Sequence, residues 1–342
     1  MIKLMHPNVG KEELALVEQV LMSGNLVEGK MVKAFEEETC RWIGVAHGVA
    51  CTSATTGLEL ALRALDVGWG DEVIIPGFTH PATALCVEGV GAVPVTVDVD
   101  PRSYNTNAEI IKKSITKHTK AIMPVSLFGN PLDMQPILDL GLPVVEDAAC
   151  SLGSEREGRR VGSEATITVF SFHPRKVFTT GDGGLITTND TYLAEKMRRI
   201  KRFGGFQEWG TNYRMSDILG AVALAQVRKI DLVVSERRKK AAWYDRHVPV
   251  PPQGSNYQSY VIHINDRDET ISYMKRHGVE CQVGTYALHK LDYFKNLPAL
   301  PVSEMLHREL MALPLHHLLT EDDQEYIISL LMKKGGVTMF KG

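Results

Sequence analysis

TVFSFHPRKVFTTGDGGLITTND (168–190) reads as two β-strands joined by a polar, glycine-rich crossing. An apolar strand runs into Ser171 and His173, Pro174 stops it, and Lys176 follows. TTGDGG then places three glycines in a tight turn that allows close backbone approach, and a second strand resumes at Gly184. A lysine in a loop usually faces solvent. One set just past a buried strand and locked between Pro and Gly turns is better placed for Schiff-base chemistry, which needs a fixed amine of depressed pKa.

Outward from this segment, short apolar runs alternate with helical patterns. Strands are expected at Glu72–Phe78, Val93–Val99, Ala121–Phe128, Pro143–Cys150, Ala165–Phe172 and Gly184–Thr188. They are mostly continuous apolar runs, as expected of strands buried on both faces. Thr56–Leu65 carries Leu58, Ala61, Leu62 and Leu65 on one helical face, and another helix starts near Ser216. Alternation of this kind implies a mainly parallel α/β sheet. Beyond about residue 235 a charged helix ends, VPVPPQGSN (248–256) reads as a linker, and Tyr260–Asn265, Glu269–His277 and Asp322–Lys333 read as strand, helix and helix of a small α+β unit. The RRKK run (237–240) reads as a solvated helix face.

Composition narrows the function. The chain has 342 residues, which at about 150 per domain suggests two domains. Its 38 basic and 41 acidic side chains leave a net charge of −3, with no global drive toward nucleic acid or anionic membrane. No apolar run reaches the roughly 18 residues a membrane span needs. MIKLMHPNVGKEE lacks the apolar stretch of a secretory signal. The five cysteines are scattered without a CxxC pair, which suits a reducing cytoplasm. No HExxH or similar spacing suggests a metal, and no GxGxxG follows the first strand as a dinucleotide-binding fold requires.

Two further segments carry chemistry. CTSATTGLEL (51–60) is a small, hydroxyl-rich turn opening a helix; Ser53, Ala54 and Thr55 either cap that helix or cradle a phosphate at its positive end. PVVEDAACSLGS (143–154) is an apolar strand ending in Glu146 and Asp147. Side chains alternate along a strand, so one acid faces a given site, and the carboxyl end of a parallel strand is where such sheets bind ligands.

Together these segments resemble the pyridoxal-phosphate (PLP) sugar aminotransferases of the DegT/DnrJ/EryC1/StrS family. PGFTHPAT (76–83), LFGNPLDM (127–134), NYRMSD (212–217) and LPLHHLLTEDD (313–323) match in order and spacing, so that the likeness runs from about Pro7 to Lys333. The resemblance implies fold type I of PLP-dependent transferases: a large α/β domain (1–240) with a mainly parallel seven-stranded sheet between helices, and a small α+β C-terminal domain (241–342), with an N-terminal segment able to pack on the latter. It also implies that Lys176 forms the internal aldimine and shuttles the substrate proton. Asp147 would pair with the pyridine nitrogen. By the same likeness His80 stacks on the ring, Ala54, Thr55 and Ser171 bind phosphate beside Ser53, and His173 and Cys150 border the cofactor. Asn212 would serve the partner subunit's phosphate in a homodimer, Arg214 would contact substrate or pack the dimer, and His289 would line the sugar pocket. The implied reaction moves an amino group from L-glutamate, by way of pyridoxamine phosphate, to a keto-sugar, typically a nucleotide-linked 3-keto or 4-keto hexose.

The chain departs from the family pattern in places. Cys150 stands where Gln is common, Ala54 where Gly is common, and Ser126 where His is frequent. The known sugar dehydratases of this family carry a histidine at the lysine position, so Lys176 disfavours that reaction. A cyclitol or an unlinked keto-sugar stays open as acceptor. A non-catalytic, cofactor-binding regulator is disfavoured by the intact Lys176 and Asp147 and by the lack of a basic domain.

Overall fold

The computed structural model describes residues 1–248 and 255–335. Its larger body is built on β1 (His47–Cys51), β2 (Glu72–Pro76), β3 (Val93–Val97), β4 (Thr119–Ile122), β5 (Val145–Asp147), β6 (Ile167–Ser171) and β7 (Gly184–Thr188). β3, β2 and β4 pair in parallel. β5 joins β4 through parallel bridges at Ile122–Val144 and Val125–Asp147. β6 continues in parallel, and β7 is antiparallel to both β6 and β1. The order across these seven strands is β3-β2-β4-β5-β6-β7-β1, the mainly parallel sheet of a fold type I transferase.

Side-chain alternation in the central strands explains why helices cover both faces. Val169 and Ile186 point into one core with Leu58, Ala61 and Leu62 of the helix Ala54–Ala64. Phe170 and Leu185 point into the other, against Val32 and Phe35 of Lys30–Ile43 and Ala223 and Leu224 of Asp217–Arg228. The helix ends follow the sequence. Ser53, Asp190 and Ser216 each accept a backbone N–H of the helix they open.

A smaller antiparallel sheet pairs Tyr260–His263 and Gln282–Val283 with Leu310–Leu313. Helices Arg267–Arg276 and Glu321–Lys334 lie with it, and its apolar core includes Met274, Ile327 and Leu331. The helix Ile230–Asp245 crosses the expected boundary at residue 240 and lends Ala241, Trp243 and Tyr244 to this second core. The N-terminal segment lies on the same body: Ile2 bridges Val279, and the Leu315 N–H donates to the Leu4 carbonyl at 3.1 Å.

Three expectations are corrected. The run Glu72–Phe78 is not one strand: β2 ends at Pro76, and Phe78–Thr79 turns away to pair with Tyr286–Ala287, tying the large sheet to the later chain. The run Ala121–Phe128 is cut short because Pro124 has no N–H to give a ladder. The chain then enters a single 3-10 turn, Leu127–Gly129, with Phe128 at φ 58°. The RRKK run is not a solvated face throughout. Arg237 is buried and donates to the carbonyls of Tyr257, Gln258 and Leu315, and burial pulls its pKa down to about 10. The linker reading at 248–256 falls mostly on residues outside those described; Ser255 and Asn256, at its end, are buried.

Arg237 therefore clamps the helix Ile230–Asp245 to two other segments. Replacing it by Ala leaves the buried Leu315 carbonyl and the part-buried carbonyls of Tyr257 and Gln258 short of a donor, at about 1–3 kcal/mol for each unsatisfied buried group. Urea unfolding of Arg237→Ala should show a loss of about 3 kcal/mol or more, and Arg237→Lys a smaller one. Equal stability of Arg237→Ala and the parent would remove this role.

Candidate active site

β1, β5 and β6 point the same way, because β7 is antiparallel to both β6 and β1. The chain leaving each strand therefore emerges on one edge of the sheet. A cavity of about 600 Å³ lies there, lined by Ser53, Ala54, Thr55, His80, Asp147, Cys150, Ser171, His173 and Lys176. Gln258 and Tyr286 close it from the side of the smaller body.

One end of the cavity is lined by the N-terminus of a helix. Ser53, extended at φ −165°, caps the helix Ala54–Ala64 by accepting the Thr56 N–H at 3.2 Å. The first N–H groups of that helix have no intrahelical partner, and the helix dipole adds positive potential. Gly184, at the start of β7, packs directly under this turn. A Cβ there would sit 2.7 Å from the Ser53 carbonyl carbon and 2.9 Å from the Ala54 nitrogen. The glycine of TTGDGG and the turn of CTSATT are thus two halves of one device. Ser171 stands half-buried at the end of β6.

Asp147 forms the floor. Its Oδ2 accepts the Thr83 hydroxyl at 2.8 Å, Thr83 in turn meets Thr79 at 2.9 Å, and Oδ1 accepts the Ala149 N–H at 3.2 Å. Burial pushes the carboxyl above its usual pKa, against the pull of those hydrogen bonds and of Lys176. Among the described residues no cation lies within salt-bridge distance of it. Glu146 points to the other face, as strand alternation requires. Ser126 donates to its Oε1 and Thr168 to its Oε2. Burial raises its pKa to about 7. Ser126 is thereby spent on Glu146 and lies fully buried.

Lys176 is half-buried, and its Nζ donates to the Cys150 sulfur at 3.2 Å. Its loop is shaped by the Lys176 N–H donating to the His173 carbonyl at 2.8 Å and the Arg175 N–H donating to His173 Nδ1 at 3.2 Å. His80 sits at the mouth, 6.3 Å from the Tyr286 ring, with its Nδ1 accepting the Ala82 N–H. Partial desolvation first, and the Lys176 charge second, hold His80 and His173 below the usual imidazole pKa.

Three residues singled out from the sequence stand apart from this cavity. Asn212 pairs with Arg202 in a loop, and its Oδ1 accepts Arg214 Nε at 3.0 Å. The same loop exposes Phe206 and Trp209. His289 does not line the pocket. Its ring is buried with Nε2 3.5 Å from Glu304, because the backbone turns inward after the Tyr286–Ala287 pairing. Other residues of the site had no local signal in the sequence. Thr83 holds Asp147, Gln258 donates to the Arg175 carbonyl at 3.1 Å, and Asn256 donates to the carbonyls of Cys150 and Leu152 at 3.0 and 2.8 Å.

The chain as a whole is similar to proteins of known name. It is 36% identical to the GDP-perosamine synthase of Caulobacter vibrioides, over 89% of this chain and 90% of that protein. It is 35% identical to the UDP-N-acetyl-3-dehydro-alpha-D-glucosamine 3-aminotransferase of Acidithiobacillus ferrooxidans, over 94% and 93%. Its structure superposes on the PLP form of a putative sugar aminotransferase of Streptococcus pneumoniae with a TM-score of 0.90 and 26% identity, over 96% and 98% of the two chains. Residues 7–332 match the family itself, and the chain belongs to the DegT/DnrJ/EryC1/StrS aminotransferase family.

Proposed function

We propose that this aminotransferase uses pyridoxal phosphate to move an amino group from L-glutamate to a nucleotide-linked keto-hexose. The observation that carries the cofactor reading is Asp147, a buried carboxylate with no cation partner among the described residues. Such a group is costly alone and is matched by a protonated ring nitrogen. The names of the two relatives, one a GDP-sugar synthase and the other a UDP-sugar aminotransferase, support the acceptor class.

When bound, the cofactor supplies an aromatic ring that takes up charge from the substrate carbon. The chain does the rest. The Ser53–Thr55 turn and Ser171 hold the phosphate, Asp147 keeps the proton on the ring nitrogen, and His80 covers one face at the cavity mouth. Lys176 Nζ is the base that removes a proton from the donor carbon and returns one to the acceptor carbon. Gln258 and Tyr286 exclude water from the side of the smaller body. Asn212 and Arg214, outside the cavity of their own chain, support a homodimer in which that loop completes the partner's site. The absence of a long apolar helix among the described residues and the five free cysteines support a cytoplasmic enzyme.

Absorbance spectra test this reading first. The purified protein should show a band near about 420 nm that shifts toward about 330 nm on adding L-glutamate, as a lysine-bound pyridoxal does, and Lys176→Ala should lose the response. No cofactor uptake at all would overturn the proposal. Mixing Lys176→Ala chains with Asn212→Ala chains should restore activity that neither has alone; a fully active monomer would sink the shared site.

Asp147 gives a pH prediction. Its pKa in the fold lies above the unfolded value, so the cofactor-free protein loses stability as pH rises through the interval between the two. Asp147→Asn should therefore raise the Tm of the cofactor-free chain at neutral pH, and the gain should vanish below the ordinary carboxylate range. Its turnover should fall by about a hundredfold or more, the scale of losing one electrostatic stabiliser. A variant that is no more stable at pH 7 would show that the burial cost is met elsewhere.

A further inference from the structure

Among the described residues, Lys176 and Arg175 are the cationic side chains, histidines aside, that line the cavity. Lys176 is taken up by the reaction itself. Arg175, one residue earlier, is left with its charge free. We propose that Arg175 binds the side-chain carboxylate of the amino donor and so sets the preference for a dicarboxylic amino acid. The inference rests on the reading of the site as that of an aminotransferase and names the residue that selects its donor.

The backbone of Arg175 is held while its side chain stays open. Its N–H donates to His173 Nδ1 at 3.2 Å, and its carbonyl accepts Gln258 Nε2 at 3.1 Å. The residue is exposed, and no carboxylate among the described residues lies within salt-bridge distance of its guanidinium. The two acids of the lining are engaged elsewhere. Asp147 accepts from Thr83 and from the Ala149 N–H, and Asp182 Oδ1 accepts the Gly183 N–H at 2.9 Å. The guanidinium charge is felt within the cavity: after desolvation and the charge of Lys176, it is a further cause that lowers the pKa of His80 and of His173. Both imidazoles are thereby held toward the neutral form, which leaves Arg175 the fixed cation of the rim.

The order of groups in an amino donor fits this placement. Its α-carbon must come to Lys176, the base that takes its proton. The α-carboxylate is one bond away and stays deep beside that lysine. The side-chain carboxylate of glutamate lies three bonds from the α-carbon, toward the rim where Arg175 is exposed. Lys176 and Arg175 are consecutive, with Cα atoms about 3.8 Å apart, and both side chains line the same cavity. A guanidinium meets a carboxylate with two parallel N–H donors, which adds direction to charge. Glutamine has the same shape but no charge and one acceptor oxygen, so it leaves part of that fork unmatched. The diphosphate of a nucleotide-linked acceptor is the competing anion, and the experiment separates the two.

The test follows loss of the long-wavelength band in the PLP-loaded protein with L-glutamate, L-glutamine or L-alanine as donor. In Arg175→Gln the efficiency with glutamate should fall by about tenfold or more, while glutamine and alanine change by less than about threefold. Arg175→Lys should keep part of the preference. Calorimetric binding of glutarate, a dicarboxylate without an amine, should weaken by about tenfold in Arg175→Gln, and binding of UDP and GDP should not change. The thermal midpoint should stay with the parent, since the side chain is exposed. Equal losses on all three donors overturn the proposal, and so does an unchanged preference for glutamate. Weaker binding of the nucleoside diphosphates with glutarate unaffected overturns it in favour of the acceptor. A parent protein that responds to no amino donor would instead overturn the aminotransferase reading, so the two failures are distinct.

Discussion

Burial of the Asp147 carboxylate with no counter-ion among the described residues is the constraint to which the rest of the site is fitted. An ionised carboxylate taken out of water is expensive unless hydrogen bonds or a cation repay it. Thr83 and the Ala149 N–H repay part, yet the pKa still sits above its usual value. Glu146, one residue earlier, solves the same problem differently. It faces the opposite side of the strand, takes two hydroxyls, and its pKa rises to about 7. Two adjacent acids on a three-residue strand thus acquire different roles from alternation alone. One is tied into the packing by two hydroxyls, and the other faces the cavity with no cation within salt-bridge distance among the described residues.

The second body enters through a narrow strap. Arg237 holds the carbonyls of Tyr257 and Gln258, Gln258 holds the carbonyl of Arg175, and Asn256 holds those of Cys150 and Leu152. Gly129, in the left-handed region at φ 92°, leaves room for the Asn256 amide. Three side chains, Arg237, Asn256 and Gln258, therefore connect the helix Ile230–Asp245 to the segments on either side of the cavity, after β5 and after β6. Each uses backbone carbonyls as partners, so the geometry is set by the fold rather than by neighbouring side chains.

Much of this was legible in the sequence where the signal is local. The 168–190 segment gave a strand, a glycine turn and a second strand, and β6 and β7 pair in that way. Ser53 and Ser216 cap the helices they precede. Boundaries were read too long where one apolar run covers two structures: Phe78–Thr79 looks like a continuation of β2 but pairs with residues more than two hundred positions later. Arg237 looked like part of a charged face because the carbonyls that bury it come from distant segments. Thr83 and Asn256 carry no motif of their own; what they do depends on Asp147 and Cys150 being brought to them. His289, expected in the sugar pocket from the family resemblance alone, has its ring buried 3.5 Å from Glu304 within its own chain.

Asp147, without a cation partner among the described residues, also bears on what holds the molecule together. A ligand that binds the native state alone adds its binding free energy to stability. Here that ligand would supply the missing positive charge at the floor and the missing anion at the Ser53–Thr55 turn in a single step. Both ends of the cavity are pre-formed by strand ends and a helix N-terminus, so little chain must be ordered on binding. What binding adds is the relief of electrostatic costs already present in the fold. A site arranged in this way trades stability of the empty protein for readiness, and the burial of Asp147 is where that trade is made.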